Sequence, residues 1–351
     1  ELDRTAISFG VGAGMETIGF SGKALKEDFD RLLDIAADVL LHPTFPRSET
    51  EKLRAEILAD LKEADDDTQH VAYREFRALC YPETHPYHRL SDGNAQTVKR
   101  LTLAQLADFH ARYFRPDVTT IVIVGDIRAE QAIEKIERAF GKWKAHGKPA
   151  DHQIPGAPGL KQIVRKKSPL AGKTQADVVI GYPGLRRSDP DFYALSLGDL
   201  IFGRLGLYGR LGANVRDKQG LAYYVYSGIE ANLGAGPWAV HAGVNPKNLD
   251  RAIEGIIAEV KRLRAEPVTE DELSEAKDFV TGSLALRLET NEGVAGTLGD
   301  IELFDLGLDY LQRYPDIIRA ITPEQILAAV QKYAQIENYA LSVAGPVDGK
   351  Q

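Results

Sequence analysis

A single cysteine, Cys80, occurs among the 351 residues, so the chain can close no disulfide within itself and cannot build a cysteine metal site. Long apolar runs are missing as well. None approaches the ~20 residues that a membrane-spanning helix requires, and no signal peptide is visible at the N-terminus. Nor are charges gathered in blocks: the net charge of −8 is spread along the chain, which argues against nucleic acid or anionic membrane as the main partner. The basic triplet Arg165-Lys166-Lys167 reads as a solvated strand end. What is present is a globular composition, 44% hydrophobic and 27% charged, on a chain long enough for two domains with sizeable cores. These bulk properties leave the compartment open between periplasm and cytoplasm.

An internal repeat organises the chain. Residues 101–126, LTLAQLADFHARYFRPDVTTIVIVGD, align without a gap on 321–346, ITPEQILAAVQKYAQIENYALSVAGP. Thr102 falls on Thr322, Gln105 on Gln325, Tyr113 on Tyr333 and Gly125 on Gly345, an offset of 220. Both copies open on Thr-x-x-Gln, the spacing of a capping box. The same offset carries Phe29-Asp30-Arg31 onto Leu249-Asp250-Arg251, and Gly14 onto Gly234. On that register Glu1 meets Leu221, and the stretch 162–220 of the second copy has no counterpart in the first. The expectation is a first lobe that begins inside a domain, over 1–147, a Pro- and Gly-rich linker over 148–160, and a second lobe over 161–351.

Each copy mixes the two periodicities. In the first, 5–10 and 17–21 have strand character, 25–41, 48–62, 71–80 and 103–114 are helical, and 119–124 reads as a buried strand. In the second, strands are expected at 162–166, 176–182, 222–227, 238–242 and 339–343. Helices are expected at 191–202, 208–218, 247–264, 270–288, 293–306, 310–319 and 323–333. Runs of strands followed by runs of helices indicate an α+β fold, each lobe a mainly antiparallel sheet with helices packed on one face.

The most informative stretch is 208–228, YGRLGANVRDKQGLAYYVYSG, in which a polar helix stops at Gly220 and an aromatic strand begins. Gly209-Arg210-Leu211, Arg216 in the last helical turn, and Gly220-Leu221-Ala222-Tyr223 entering the strand resemble the second-lobe signature of the insulinase-type (M16) peptidases. Further matches run along the chain at Pro43-Thr44-Phe45, His85-Pro86-Tyr87, Tyr113 with Pro116, and Val124-Gly125-Asp126. The resemblance implies that Arg216 and Tyr223 hold a peptide and the oxyanion developing on it. A guanidinium can grip a carbonyl or carboxylate at two points, and a phenol can donate one hydrogen bond to a tetrahedral intermediate. The plain structural alternative is that Arg216 satisfies helix-end carbonyls and Tyr223 packs in the core.

In such peptidases zinc is bound by His-x-x-Glu-His and by a Glu on a later helix. No His-x-x-Glu-His occurs in this sequence. Counting along the later helix from Phe45, the two Glu positions are filled by Leu53 and Asp60, the first without a donor and the second a methylene short. The resemblance therefore implies a chain with no cofactor of its own, a degenerate site at Asp60, and zinc in a partner: a heterodimer with a zinc-bearing M16 subunit, or a homodimer, acting on peptides. Two other readings stand beside it. One is the C-terminal remainder of a single-chain zinc peptidase, the other a non-catalytic scaffold homologue.

Three features invite other assignments. Gly10-Val11-Gly12-Ala13-Gly14 has the look of a dinucleotide fingerprint, but a strand rather than a helix follows it, so a hairpin turn is expected. Gly172-Lys173-Thr174 lacks the earlier glycine of a phosphate loop. His85 and His88 have no third ligand nearby, and His42, His110 and His241 are isolated and read as structural.

Overall fold

A computed structural model describes residues 5–145, 147–150 and 153–348; Glu1, from which the repeat was counted, and Asp151 and His152 of the linker lie outside them. The chain opens on an antiparallel hairpin, β1 (Ser8–Ala13) and β2 (Ile18–Lys23), followed by α1 (Phe29–Leu41), α2 (Arg47–Ala64) and α3 (Thr68–Cys80). After these come α4 (Ala95–Arg100), α5 (Leu103–Tyr113) and α6 (Ala129–Phe140). The rest of the chain forms β3 (Val164–Pro169), β4 (Ala176–Pro183), α7 (Phe192–Asp199), β5 (Ala222–Ile229), β6 (Pro237–Val244) and α8 (Leu249–Ala265). It ends with α9 (Glu270–Arg287), α10 (Asn291–Leu303), α11 (Tyr310–Arg319), α12 (Pro323–Tyr333) and β7 (Ala340–Gly345). The fold is α+β. The two capping boxes read from the repeat both form: Thr102 N–H donates to Gln105 Oε1 at 2.9 Å, and Thr322 N–H to Gln325 Oε1 at 2.9 Å.

Contacts divide the chain into two compact units. The first holds the described residues up to Leu61 together with those of Ser91–Gln153 and Leu286–Gly307. Its core sets Leu33, Ala36 and Leu40 of α1 against Phe140 of α6, with Phe9 and Phe20 of the hairpin, Ile121 and Trp143 around them. Lys135 and Arg138 of α6 both reach Asp30 of α1, at 2.5 and 2.6 Å. Helix α6 was not foreseen. Its apolar spacing, Ile133, Ile136, Phe140, is legible, but the repeat offers no second copy to draw attention to it, and Arg128 at its N-cap makes no side-chain cap. The segment 119–124 corrects the expectation of a strand: it has no strand partner among the described residues, with Ile121 packed into the core, and a strand exists only where a neighbour accepts its hydrogen bonds. The glycine run is corrected too, since Gly10 and Gly12 lie within β1 and the chain turns between Gly14 and Thr17.

The second unit holds Lys62–Leu90, Ile154–Ala285 and the described residues from Leu308 on. Its five-stranded sheet has the order β3-β7-β4-β6-β5, parallel at β3–β7 and antiparallel elsewhere. One face, carrying Val178, Ile180, Val240, Ala242, Leu341 and Val343, is buried against α7, α8 and α12. The opposite face carries Val179, Gly181, Ser342 and Ala344, and on these small residues lies α3. Val71, Ala72 and Phe76 of α3 are at most 3% exposed. Shifted by the repeat offset, α3 falls on 288–300, most of α10. Since α3 belongs to the second unit and α10 to the first, each unit includes a helix from the half of the chain that supplies the other.

Asp199 ends α7 with its side chain fully inside this core, where Trp238 Nε1–H donates to its Oδ1 at 2.7 Å. Burial pushes its carboxyl up to about 6. The folded state therefore holds the proton more tightly than the unfolded chain. The stabilisation is fully present below the ordinary carboxylate range, near pH 4, and is lost as pH rises through about 6. Asp199→Asn keeps the acceptor for Trp238 and removes the charge. Urea unfolding between pH 4 and 8 is expected to show the variant more stable than wild type at pH 7.5, by roughly 1–3 kcal/mol, with the gap closing towards pH 4.

Candidate functional site

The stretch that carries the sequence signature is built from irregular helix, and this corrects the expectation of regular helices over 191–202 and 208–218. After α7 the backbone widens into a π turn at Leu200–Arg204, tightens through a 3₁₀ turn at Gly206–Tyr208, and widens again at Gly212–Lys218. The widening has a steric partner in two glycines. A Cβ on Gly203 would stand 2.6 Å from Ser227 Oγ and 2.7 Å from Leu211, and one on Gly209 would stand 3.0 Å from Gly203 Cα. The two passes of chain can cross only where neither has a side chain. Wide turns of this kind recur at functional sites, because they rotate the side chains that follow.

Arg210 and Arg216 lie on the same segment with opposite fates. Arg210 makes a two-point ion pair with Glu272 of α9, at 2.8 and 2.6 Å, and that partnership holds the Glu272 carboxyl down to about 2. Glu272 in turn caps its own helix, accepting from Thr269 N–H at 2.9 Å. Arg210 is thus a fastener. Arg216 follows the fully buried Val215, is itself half-buried, and has no side-chain hydrogen bond or ion pair among the described residues. The helix-end amides are satisfied by backbone instead: Gly220 N–H reaches Arg216 O at 2.9 Å and Leu221 N–H reaches Val215 O at 3.0 Å. Gly220 adopts φ 63°, the left-handed conformation that ends the helix, as the sequence indicated.

Leu221 is buried and β5 begins with a bulge. Ala222 pairs with Val244 and Tyr224 with Gly243, so Tyr223 is the extra residue that no partner opposes. Its neighbours are tied down. The Tyr224 hydroxyl donates to Asp177 on β4, and the Tyr226 ring stacks on His241 at 4.9 Å. Tyr223 is 55% exposed and has no hydrogen bond among the described residues. The bulge explains why simple alternation fails to place it. The structure sets Arg216 and Tyr223 at the two ends of one turn. Neither lines the cavity beside Arg210 and Glu272 or the one between α3 and β5.

Leu53 and Asp60, the positions counted for a metal, are exposed on α2. Leu53 has no donor atom, and no group of three His, Cys, Asp or Glu among the described residues is arranged to hold a metal ion. These residues do not fit a zinc site. His85 and His88 are engaged with backbone: His85 Nδ1 accepts from Tyr87 N–H at 3.0 Å, and His88 Nδ1 lies 2.8 Å from Tyr81 O. Lys173 of the would-be phosphate loop pairs with Asp66 at 2.8 Å. No helix among the described residues is long and apolar enough to cross a membrane.

Comparison with known proteins places these features in a family. The family model for the peptidase M16 inactive domain matches residues 100–280, and that for insulinase (peptidase family M16) matches 2–90. An uncharacterized zinc protease of Streptomyces coelicolor is 25% identical over 338 residues, covering 95% of this chain and 72% of that protein. A protein of Helicobacter pylori described as a non-peptidase homolog is 22% identical over 347 residues, covering 97% and 78%. Among solved structures, a peptidase M16 inactive domain from Pseudomonas fluorescens superposes with a TM-score of 0.91 at 27% identity, over 100% of this chain and 83% of that one. A protease from Helicobacter pylori shares the fold at a TM-score of 0.91 and 19% identity, over 98% and 83%. With the inactive-domain model alone matching more than half of its length, the chain belongs to the M16 peptidase family.

Proposed function

We propose that this chain is the Arg/Tyr-bearing subunit of a two-subunit M16 peptidase, supplying Arg216 and Tyr223 to a peptide whose hydrolysis depends on zinc held by a partner M16 chain. The observation that carries the reading is the exposure of Tyr223 on its bulge, one turn of chain after an Arg216 that has no side-chain partner among the described residues. Core packing and helix-end capping, the structural alternatives for these two residues, leave a tyrosine buried and an arginine bonded to carbonyls. Here the tyrosine is open and the backbone meets its own needs. In this reading Arg216 grips a substrate carbonyl or carboxylate, and the Tyr223 hydroxyl donates to the oxygen on which charge develops. The metal supplies the activated water from the partner's side. The residues at Leu53 and Asp60 favour a partner as its source over this chain, and the lobes 1–147 and 161–351 are proposed as the units of the ancestral duplication.

Turnover of a fluorogenic peptide by the assembled pair is expected to fall by roughly 10²-fold in Arg216→Ala and in Tyr223→Phe, with little change in the melting temperature. The isolated chain is expected to bind no zinc and cleave nothing. Unchanged turnover in both variants would remove the two residues from the chemistry.

A positioning role follows for Tyr224, whose hydroxyl anchors the strand one residue beyond the bulge. Tyr224→Phe leaves Asp177 one donor short and frees the bulge to shift. The expected result is a roughly 5- to 20-fold fall in kcat of the assembled pair at nearly constant KM, the pattern of lost transition-state contact. A rise in KM alone would assign Tyr224 to ground-state binding instead.

A further inference from the structure

The second cavity lies between the start of α3, the later half of β5 and the middle of β6, with a volume of about 500 Å³. We infer that it is a recognition pocket for a cationic side chain, arginine before lysine, carried on an extended peptide. The inference deepens the reading above and rests on it for the peptide; the pocket's chemistry stands apart from Arg216 and Tyr223, which do not line it.

Aromatic faces form its wall. The His241 ring stacks on Tyr226 at 4.9 Å with an 8° tilt, and Tyr73 lies 5.5 Å from the same ring. Guanidinium groups stack on such faces, and the attraction grows as water is excluded. The lining includes two carboxylates, Asp67 and Glu230, and neither Lys nor Arg. Glu230 is fixed by the Tyr73 hydroxyl and by Arg77 Nη1 at 3.0 Å, which offsets its charge. Asp67 is different. In the run Asp65-Asp66-Asp67 the first pairs with Arg74 and the second with Lys173, while Asp67 has no cationic partner among the described residues. One of its oxygens accepts from His70 N–H at 2.6 Å, at the N-cap of α3, and the carboxylate remains a net negative charge at the rim.

His241 adds a neutral acceptor to the pocket. Its ring lines the cavity, yet neither nitrogen has a hydrogen-bond partner among the described residues. The residue is half-buried, so water or a ligand entering the cavity can meet that need. Burial also holds it down to about 4, so at neutral pH it is uncharged, repels no cation and offers a lone pair as acceptor. A guanidinium would complete the set: its face on Tyr226 or Tyr73, one N–H to the imidazole, another to Asp67.

The test uses the whole chain. N-acetyl-arginine amide and N-acetyl-norleucine amide are titrated while the ring protons of His241 are followed by NMR, and the acetylated, amidated peptide Ala-Ala-Arg-Ala-Ala is run beside them. The arginine probe is expected to shift the His241 signals and the norleucine probe to leave them. The peptide is expected to bind at least about fivefold more tightly than the amide, and 0.5 M salt to weaken both. Asp67→Asn, which preserves the helix cap, is expected to weaken binding at least about fivefold, and His241→Phe, which preserves the stack, to weaken it comparably. Equal response to the two amides, or an unaltered affinity in Asp67→Asn, overturns the pocket; a peptide no tighter than the amide overturns its peptide specificity. Arg216→Ala is expected to bind the arginine amide as wild type does, so loss of turnover there and loss of amide binding in Asp67→Asn report on separate claims.

Discussion

A buried carboxylate held by neutral donors keeps the functional part of this molecule in register. Asp177 is 2% exposed, and three donors converge on it: the hydroxyls of Thr68 and Tyr224 and the amide of Gln175, the last at 3.0 Å. An ionised group in that position is tolerable only when its oxygens are fully hydrogen-bonded. The donors come from the start of α3, from the residue after the β5 bulge and from the residue that precedes the strand carrying Asp177. One carboxylate thereby couples a helix of the first half of the chain to the strand that presents Tyr223. The cavity floored by His241 lies between the same two elements, so both sites inherit their geometry from this junction.

The two arginines of the signature show how neighbouring residues of one type divide their tasks. Arg210 is clamped by Glu272, and the pair ties the irregular segment to α9. Arg216 stands six residues later on a π turn, with no ion pair among the described residues. Residue type alone does not separate the two, and only the family resemblance singles out Arg216. The distinction lies in what stands opposite, and only a folded chain supplies that.

Much of the architecture was legible because it depends on local chemistry. Thr102 with Gln105 and Thr322 with Gln325 signal their helices by side-chain identity alone, and Gly220 announces a helix end. What escaped depends on partners or on counting hydrogen bonds. A strand at 119–124 needs a neighbour that periodicity cannot guarantee. The π turns at Leu200–Arg204 and Gly212–Lys218 differ from ordinary helix only by one residue per loop of hydrogen bonds. The bulge at Tyr223 is a property of register between β5 and β6, and no single strand reveals it. The destination of α3 was equally hidden: its apolar positions state that it packs, and the small residues Gly181, Ser342 and Ala344 that receive it lie more than a hundred residues away.

That long reach limits how the gene could be divided. A polypeptide started at Ile154 would carry all five strands of the larger sheet and its three-helix layer, yet the side bearing Val179, Ser342 and Ala344 would be left bare. Such a fragment would have to borrow a cover, from a second fragment supplied in trans or from other bare sheets in an aggregate. Shuffling of halves, by recombination or by design, is therefore constrained by a short amphipathic segment that lies on the far side of the linker from the strands it shields.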